Sequence, residues 1–237
     1  MRTDAATETT TKFRSPRRFL AESLEGLVLF FAVMVSWPLT GRWLRDWGST
    51  RQERARHWPG DELTENPVDV FTRAVSVDAG PEALWPWIVQ FGLGRAGFYS
   101  YELLERTAGI PVRNIEQILP QHQVLQAGDE VKLHPKEAGI PVAKVVAPHC
   151  LCFGVLPGTR GAENPDPRRS WSLYVEPRAK GGSRLVVRSR IEALRVPTLS
   201  KRIGLALEVP IDFLMEQRML RTIRRLVEST LKSSLAG

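Results

Sequence analysis

The stretch from Thr72 to Asp129 constrains the fold more than any other part of the 237-residue chain. Apolar and polar residues alternate from Val70 to Val77, which is typical of a strand with one buried face. Gly80-Pro81-Glu82 then begins a helix, because proline fits the first helical turn and an acidic residue there suits the helix dipole. A glycine break follows, at Gly92, Gly94 and Gly97. A second short helix is predicted over 99–107.

The remainder of the chain reads as strands followed by helix. Five strands are predicted, each bounded by glycine or proline. They cover Glu130–His134, Val142–His149, Leu151–Leu156, Ser170–Pro177 and Ser183–Leu194. A long hairpin loop is expected at 157–169, where no apolar residue anchors the chain. A helical turn at Leu199–Val209 precedes Pro210, and a long last helix is predicted from Ile211 to Leu231.

Several of these segments resemble the START-like (SRPBCC) superfamily, and most closely its bacterial polyketide-cyclase-like group. The resemblance is carried by Ala79-Gly80-Pro81-Glu82, Trp85-Pro86-Trp87, Gly94 to Tyr101, Asn114 and Gly128-Asp129, and it covers roughly residues 45–230. It implies an α+β helix-grip fold, in which a curved antiparallel sheet wraps around a long C-terminal helix. An N-terminal apolar helix is added here. Because such a family is defined by a fold and a cavity, function has to be argued from the site.

The charge of the chain is concentrated at its two ends. Lys and Arg number 33 against 26 Asp and Glu, which gives a net charge of +7. Residues 61–198 hold equal numbers of both signs, so the excess belongs to residues 1–60 and 199–237. A nucleic-acid-binding domain more often carries its basic residues on the core, interleaved with aromatic residues. The distribution therefore disfavours nucleic acid as a partner and favours a membrane surface. Solvated helix faces are the alternative for the C-terminal end.

Residues 26–41 contain no charged residue. As a helix they would span about 24 Å, and extension over residues 19–44 approaches the ~30 Å hydrocarbon core of a bilayer. A single-pass membrane anchor over 19–44 is therefore predicted. A cleaved signal peptide, and a helix packed on the domain or lying in the membrane interface, are the alternatives. Similar numbers of basic residues flank the segment on both sides, so the positive-inside rule does not decide its orientation. The soluble domain is expected to be cytoplasmic.

The chain is thus divided into a disordered tail at 1–18, the membrane helix at 19–44, a connector at 45–69 and a helix-grip domain at 70–232. No P-loop, paired-histidine zinc motif or Gly-x-Ser-x-Gly elbow occurs. Cys150 and Cys152 would point the same way on a strand, a poor geometry for a disulfide. No histidine stands near them at ligand spacing, so neither a metal nor a cofactor is expected.

The expected binding site is the apolar cavity that the resemblance implies between the sheet and the last helix. Its candidate lining residues are Arg95, Phe98, Tyr99, Tyr101, His149, Ser189, Met215 and Met219. The first four lie at the junction of the short helices, and the two methionines share one face of the last helix. The strand alternation turns His149 and Ser189 inward and Arg188, Arg190 and Glu192 towards water. Ordinary core packing is the alternative for each candidate.

Two functions fit this pattern. The favoured one is a membrane-anchored domain that binds a lipid or another hydrophobic small molecule in the cavity, without catalysis. The alternative is a polyketide cyclase or aromatase-like enzyme, in which Arg95, Tyr99 and His149 position a hydrophobic substrate. The enzyme would need several of these groups within hydrogen-bond reach of one substrate, whereas a carrier needs only one or two.

Overall fold

A computed structural model describes residues 15–155, 167–194 and 197–235 of the chain. The helices are α1 (Pro16–Asp46), α2 (Arg51–Ala55), α3 (Pro81–Val89), α4 (Glu102–Thr107) and α5 (Leu199–Leu235). The strands are β1 (Pro67–Val77), β2 (Glu130–Val131), β3 (Ile140–Val146), β4 (Cys150–Gly154), β5 (Arg169–Pro177) and β6 (Ser183–Glu192). Short 3-10 turns lie at Asp61–Leu63 and Pro120–His122.

The strands form one curved antiparallel sheet of six, in the order β1-β6-β5-β4-β3-β2. Its inner face packs against α3 and the second half of α5 to form the main core. That core includes Val75, Leu151, Leu173, Leu185, Val187, Leu220 and Ile223. A curved sheet, a long C-terminal helix and an additional N-terminal helix make up the predicted α+β helix-grip fold, which is confirmed.

The outer face of the sheet is covered as well. Trp58 and Leu63 of the connector pack there against Tyr174 and Val186 in a separate buried cluster. The expectation that Arg188 faces water is therefore wrong, since the side chain is only 6% exposed. Its guanidinium group donates to the carboxylate of Asp61 at 2.8 Å and to the hydroxyl of Thr72 at 2.8 Å.

Three helix boundaries differ from the prediction. α1 begins at Pro16, and residues 1–14 of the predicted tail lie outside the described residues, as do residues 157–166 of the predicted loop. α4 begins at Glu102 because Tyr99 adopts a left-handed φ of 57°. α5 continues through Pro210, and Val209 beside it is buried in a cluster with Phe71 and Ile191.

Candidate functional site

One side of α1 is apolar and exposed. Eight large apolar side chains with exposures between 38% and 93% lie there, at Leu20, Leu24, Leu27, Val28, Phe31, Val35, Leu39 and Trp43. Their spacing of mostly three or four residues places them on one side of the helix, and we call them the apolar stripe. The most apolar window of α1 has a mean hydropathy of 1.8, and only 6% of it is buried. This exposure distinguishes α1 from the core helix of a globular domain.

The opposite side of α1 is fixed to the domain near the start of the helix. The carboxylate of Glu22 forms a 2.6 Å ion pair with Arg218 of α5. Glu25 lies 3.4 Å from the same guanidinium group and accepts a 3.1 Å hydrogen bond from the hydroxyl of Tyr101. Gly26 packs so closely that an added Cβ would stand 2.8 Å from the Tyr101 ring, which explains the glycine.

The far end of α1 is fixed to the domain too. Arg45 donates two 2.9 Å hydrogen bonds to the carboxylate of Asp69, at the start of β1. Leu44 is buried with Val33 in a cluster around Phe213 of α5. The helix therefore contacts the same domain at both of its ends.

A groove of about 420 Å³ opens between the start of α1 and α4. It is lined by Pro16, Phe19, Leu20, Glu102, Arg106, Arg113 and Asn114. The guanidinium group of Arg106 lies 5.7 Å from the centre of the Phe19 ring and 3.5 Å from the Glu102 carboxylate. Apolar side chains beside two guanidinium groups and one carboxylate give the groove an amphiphilic lining with an excess of one positive charge.

A polar cluster lies between α5 and the inner face of the sheet. The Glu216 carboxylate pairs with Arg73 at 2.5 Å and accepts a 2.8 Å hydrogen bond from the indole N–H of Trp171. Ser189 lies 3.4 Å from the same carboxylate. Arg73 is 0% exposed, and its Nη2 has no hydrogen-bond partner among the described residues. Burial, and next the charge of Glu216, raise the pKa of Asp212 to about 7.

Sequence analysis predicted an inward-facing Ser189 but did not identify the other residues of this cluster. Arg73 stands between Phe71 and Val75 on the apolar side of β1. An arginine among inward-facing apolar residues was the sequence signal that could have indicated a buried polar cluster. Asp212 and Glu216 are one turn apart on α5, but their inward direction depends on how α5 packs.

The predicted residues at the α3–α4 junction lie together and serve the local structure. Arg95 donates to the carbonyl oxygens of Val89 and His122, both at 3.0 Å. Tyr99 accepts a 2.7 Å hydrogen bond from Gln90, and burial raises the pKa of the tyrosine above its ordinary value. Phe98 packs in the main core beside them.

The other predicted residues are dispersed. Tyr101 lies under α1, Met219 is buried in the main core, and Met215 is half-buried on α5. His149 does not continue the inner face as the strand register predicted. Its amide donates to the carbonyl of Val146 in the β3–β4 turn, and its ring lines a groove with Trp58 and Tyr174 on the outer face.

Metal chemistry finds no support within the described ranges. No group of three or more His, Cys, Asp or Glu side chains there could hold a metal ion. Cys150 and Cys152 are buried free thiols whose sulfur atoms lie 3.1 Å apart.

No family model and no curated protein matches this chain. Among solved structures, protein MLL2253 from Mesorhizobium loti is similar at 12% identity and a TM-score of 0.36, covering 68% of this chain and 98% of its own. Ara h 8.0201 is similar at 14% identity and a TM-score of 0.34, with coverages of 68% and 98%. CalU16 from Micromonospora echinospora is similar at 12% identity and a TM-score of 0.30, and the match covers 68% of this chain and 83% of CalU16. The fold assignment rests on the strands and helices described above, and no function is transferred at these similarities.

Proposed function

We propose that this protein is a membrane-associated helix-grip domain that binds a lipid or another hydrophobic small molecule. The apolar stripe of α1 is the observation that carries the proposal. Burying one large apolar side chain is worth about 1.5–3 kcal/mol, so eight exposed on one side of one helix strongly favour an apolar partner. A contiguous exposed surface of this kind marks a membrane or protein contact.

The groove at the start of α1 supports binding of an amphiphilic ligand. Leu20 belongs both to the apolar stripe and to the groove wall, so the groove opens beside the surface assigned to the membrane. Arg106 and Arg113 supply positive charge for a headgroup. The space between the sheet and α5 offers less support, because core side chains such as Leu151 and Leu220 fill it.

The cyclase-like alternative gains nothing from the geometry. Tyr99 is hydrogen-bonded within the main core, whereas His149 lies at the outer groove. Arg95 is engaged with two backbone carbonyl groups. These three residues do not converge on one substrate-sized space.

Vesicle flotation of the full chain tests the membrane part. Val35→Asp with Leu39→Asp changes positions that are 82% and 93% exposed, so no domain packing is lost. Each substitution removes a large apolar side chain, whose burial in lipid is worth about 1.5–3 kcal/mol. The wild type should float with the vesicles and the double variant should lose at least about tenfold in bound fraction. Gln52→Asp with Ala55→Asp, on the exposed surface of α2, adds the same two charges and is the matched control. A wild type that stays in the bottom fraction contradicts the proposal.

Native mass spectrometry tests the ligand part. The purified full chain should carry an apolar or amphiphilic molecule, and Arg106→Ala with Arg113→Ala should lose it while keeping the wild-type circular dichroism. Lys132→Ala with Lys136→Ala removes the same charge from an exposed region elsewhere and should retain the molecule. Ligand-free wild type would count against binding.

A further inference from the structure

We infer that α1 lies in the plane of the membrane surface and does not cross the bilayer. The inference rests on the proposed membrane association and specifies its geometry. The apolar stripe contacts lipid, while the opposite side of α1 stays on the domain.

The contacts at the two ends of α1 carry this inference. Glu22 is paired with Arg218, and Arg45 is paired with Asp69, all within one domain. Arg45 lies 23 positions after Glu22, which corresponds to about 35 Å of helix and exceeds the ~30 Å hydrocarbon core. In a spanning helix these two residues would emerge on opposite sides of the bilayer. One domain cannot hold both, so crossing would break the contacts at one end.

The composition of the two sides of α1 fits the same geometry. Glu22 is 8% exposed and Glu25 is bonded to Tyr101 and Arg218, so the acidic groups are engaged with the domain. Between Arg17 and Arg42 the charged residues of α1 are Arg18, Glu22 and Glu25. All three form ion pairs within the chain, although the Glu25 side chain is 43% exposed. A helix that is apolar on one side and polar on the other lies about 5–10 Å deep in a membrane interface.

Charge identifies the occupant as a bilayer surface with anionic lipid. Arg17 and Arg42 are exposed at the two ends of the stripe, and neither forms an ion pair with a described residue. The first half of α5, the helix that packs on α1, adds a second exposed apolar row. This row comprises Leu199, Ile203, Leu207 and Ile211, at 38% to 75% exposure, with the exposed Arg202 beside it. Basic residues beside apolar rows are attracted to the negative potential of anionic lipids.

Cysteine labelling of the full chain in bacterial membranes tests the geometry. Ser15→Cys and Arg51→Cys mark the two ends of α1 at exposed positions, and Lys136→Cys marks the domain. The native Cys150 and Cys152 are buried, and the unmodified chain gives their background. A membrane-impermeant maleimide is applied to spheroplasts and to inverted vesicles. All three positions should label in the same one of these preparations, with equal yields.

Two other results would overturn the inference, and they are distinguishable. If the protein is in the membrane fraction but Ser15→Cys and Arg51→Cys label in opposite preparations, α1 spans the bilayer, and the proposed membrane association survives. If the protein is absent from the membrane fraction, the membrane association and the in-plane geometry fail together.

Discussion

Asp212 stands on α5 one turn before Glu216, within the polar cluster that also contains Arg73. Burial and the negative charge of Glu216 raise its pKa from 3.8 to about 7. In the unfolded chain the carboxyl group ionises near pH 4, so between about pH 4 and 7 the folded state binds more protons. The free energy of unfolding therefore falls as pH rises through this window, and the loss is complete above it.

Asp212→Asn removes this titration. The wild type loses unfolding free energy as the pH rises from 5 to 8, and the variant does not. The unfolding free energy of the variant minus that of the wild type should therefore increase by on the order of 2 kcal/mol from pH 5 to pH 8. Urea denaturation at the two pH values measures the gain. Glu137→Gln, at an exposed turn position, should follow the wild type at both. An equal difference between Asp212→Asn and wild type at pH 5 and pH 8 would show that Asp212 ionises normally in the folded protein.

Residue positions could be predicted where the strand alternation continued without interruption. Ser189 lies on the inner face of β6 as its neighbours predict, because the register with β1 and with β5 is unbroken around it. His149 could not be placed in this way, since the chain leaves β3 before it and turns back. The burial of Arg188 could not be predicted from the strand alternation either. The alternation assigns Arg188 to the outer face but does not reveal that a segment more than 120 residues earlier covers that face.

At the scale of elements, the segment from Arg51 to Leu63 within the connector is the part whose role was least visible in the sequence. Six of its 13 residues are charged, and Trp58 and Leu63 are its large apolar residues. Both pack on the outer face of the sheet, and Asp61 between them pairs with Arg188. The strands and helices around it could be predicted from their own patterns. The position of the connector depends on contacts with β5 and β6, and its local sequence carries no information about those contacts.

Asp61→Ala should separate the connector from the sheet. The variant leaves the buried guanidinium group of Arg188 without its carboxylate, which costs about 3–5 kcal/mol of unfolding free energy. Glu65→Ala, an exposed position four residues later, should stay within about 0.5 kcal/mol of wild type. Chemical denaturation compares the two variants. A loss below 1 kcal/mol for Asp61→Ala would mean that water reaches Arg188 easily in solution.

At the scale of the whole molecule, the composition predicted an apolar helix at the N-terminus but not how the domain holds it. The charge-free run at 26–41 is a local property. The attachment of α1 is not local, because Glu22 and Glu25 meet Arg218 about 190 residues later. The apolar run alone is compatible with a spanning helix. The end contacts of the folded chain are what favour the in-plane arrangement.

The distribution of basic residues around the two apolar rows predicts how membrane binding responds to lipid charge. Arg17, Arg42 and Arg202 each contribute about 1 kcal/mol near an anionic surface. Together they amount to roughly 3 kcal/mol, or about a hundredfold in partitioning. The wild type should therefore bind vesicles of phosphatidylcholine and phosphatidylglycerol about a hundredfold better than vesicles of phosphatidylcholine alone. Raising the salt to about 1 M should remove most of this preference, because the Debye length falls to ~3 Å.

A triple variant separates these arginines from the general positive charge of the protein. Replacing Arg17, Arg42 and Arg202 with glutamine should abolish the lipid preference and leave binding to phosphatidylcholine unchanged, because both apolar rows remain. Replacing Lys132, Lys136 and Lys180, which are exposed elsewhere on the domain, lowers the net charge equally. Beyond about one Debye length, ~10 Å at 0.1 M salt, exposed charges are largely screened. The lysine variant should therefore keep the preference, and an equal loss in both variants would assign the preference to net charge instead of to the surface around α1.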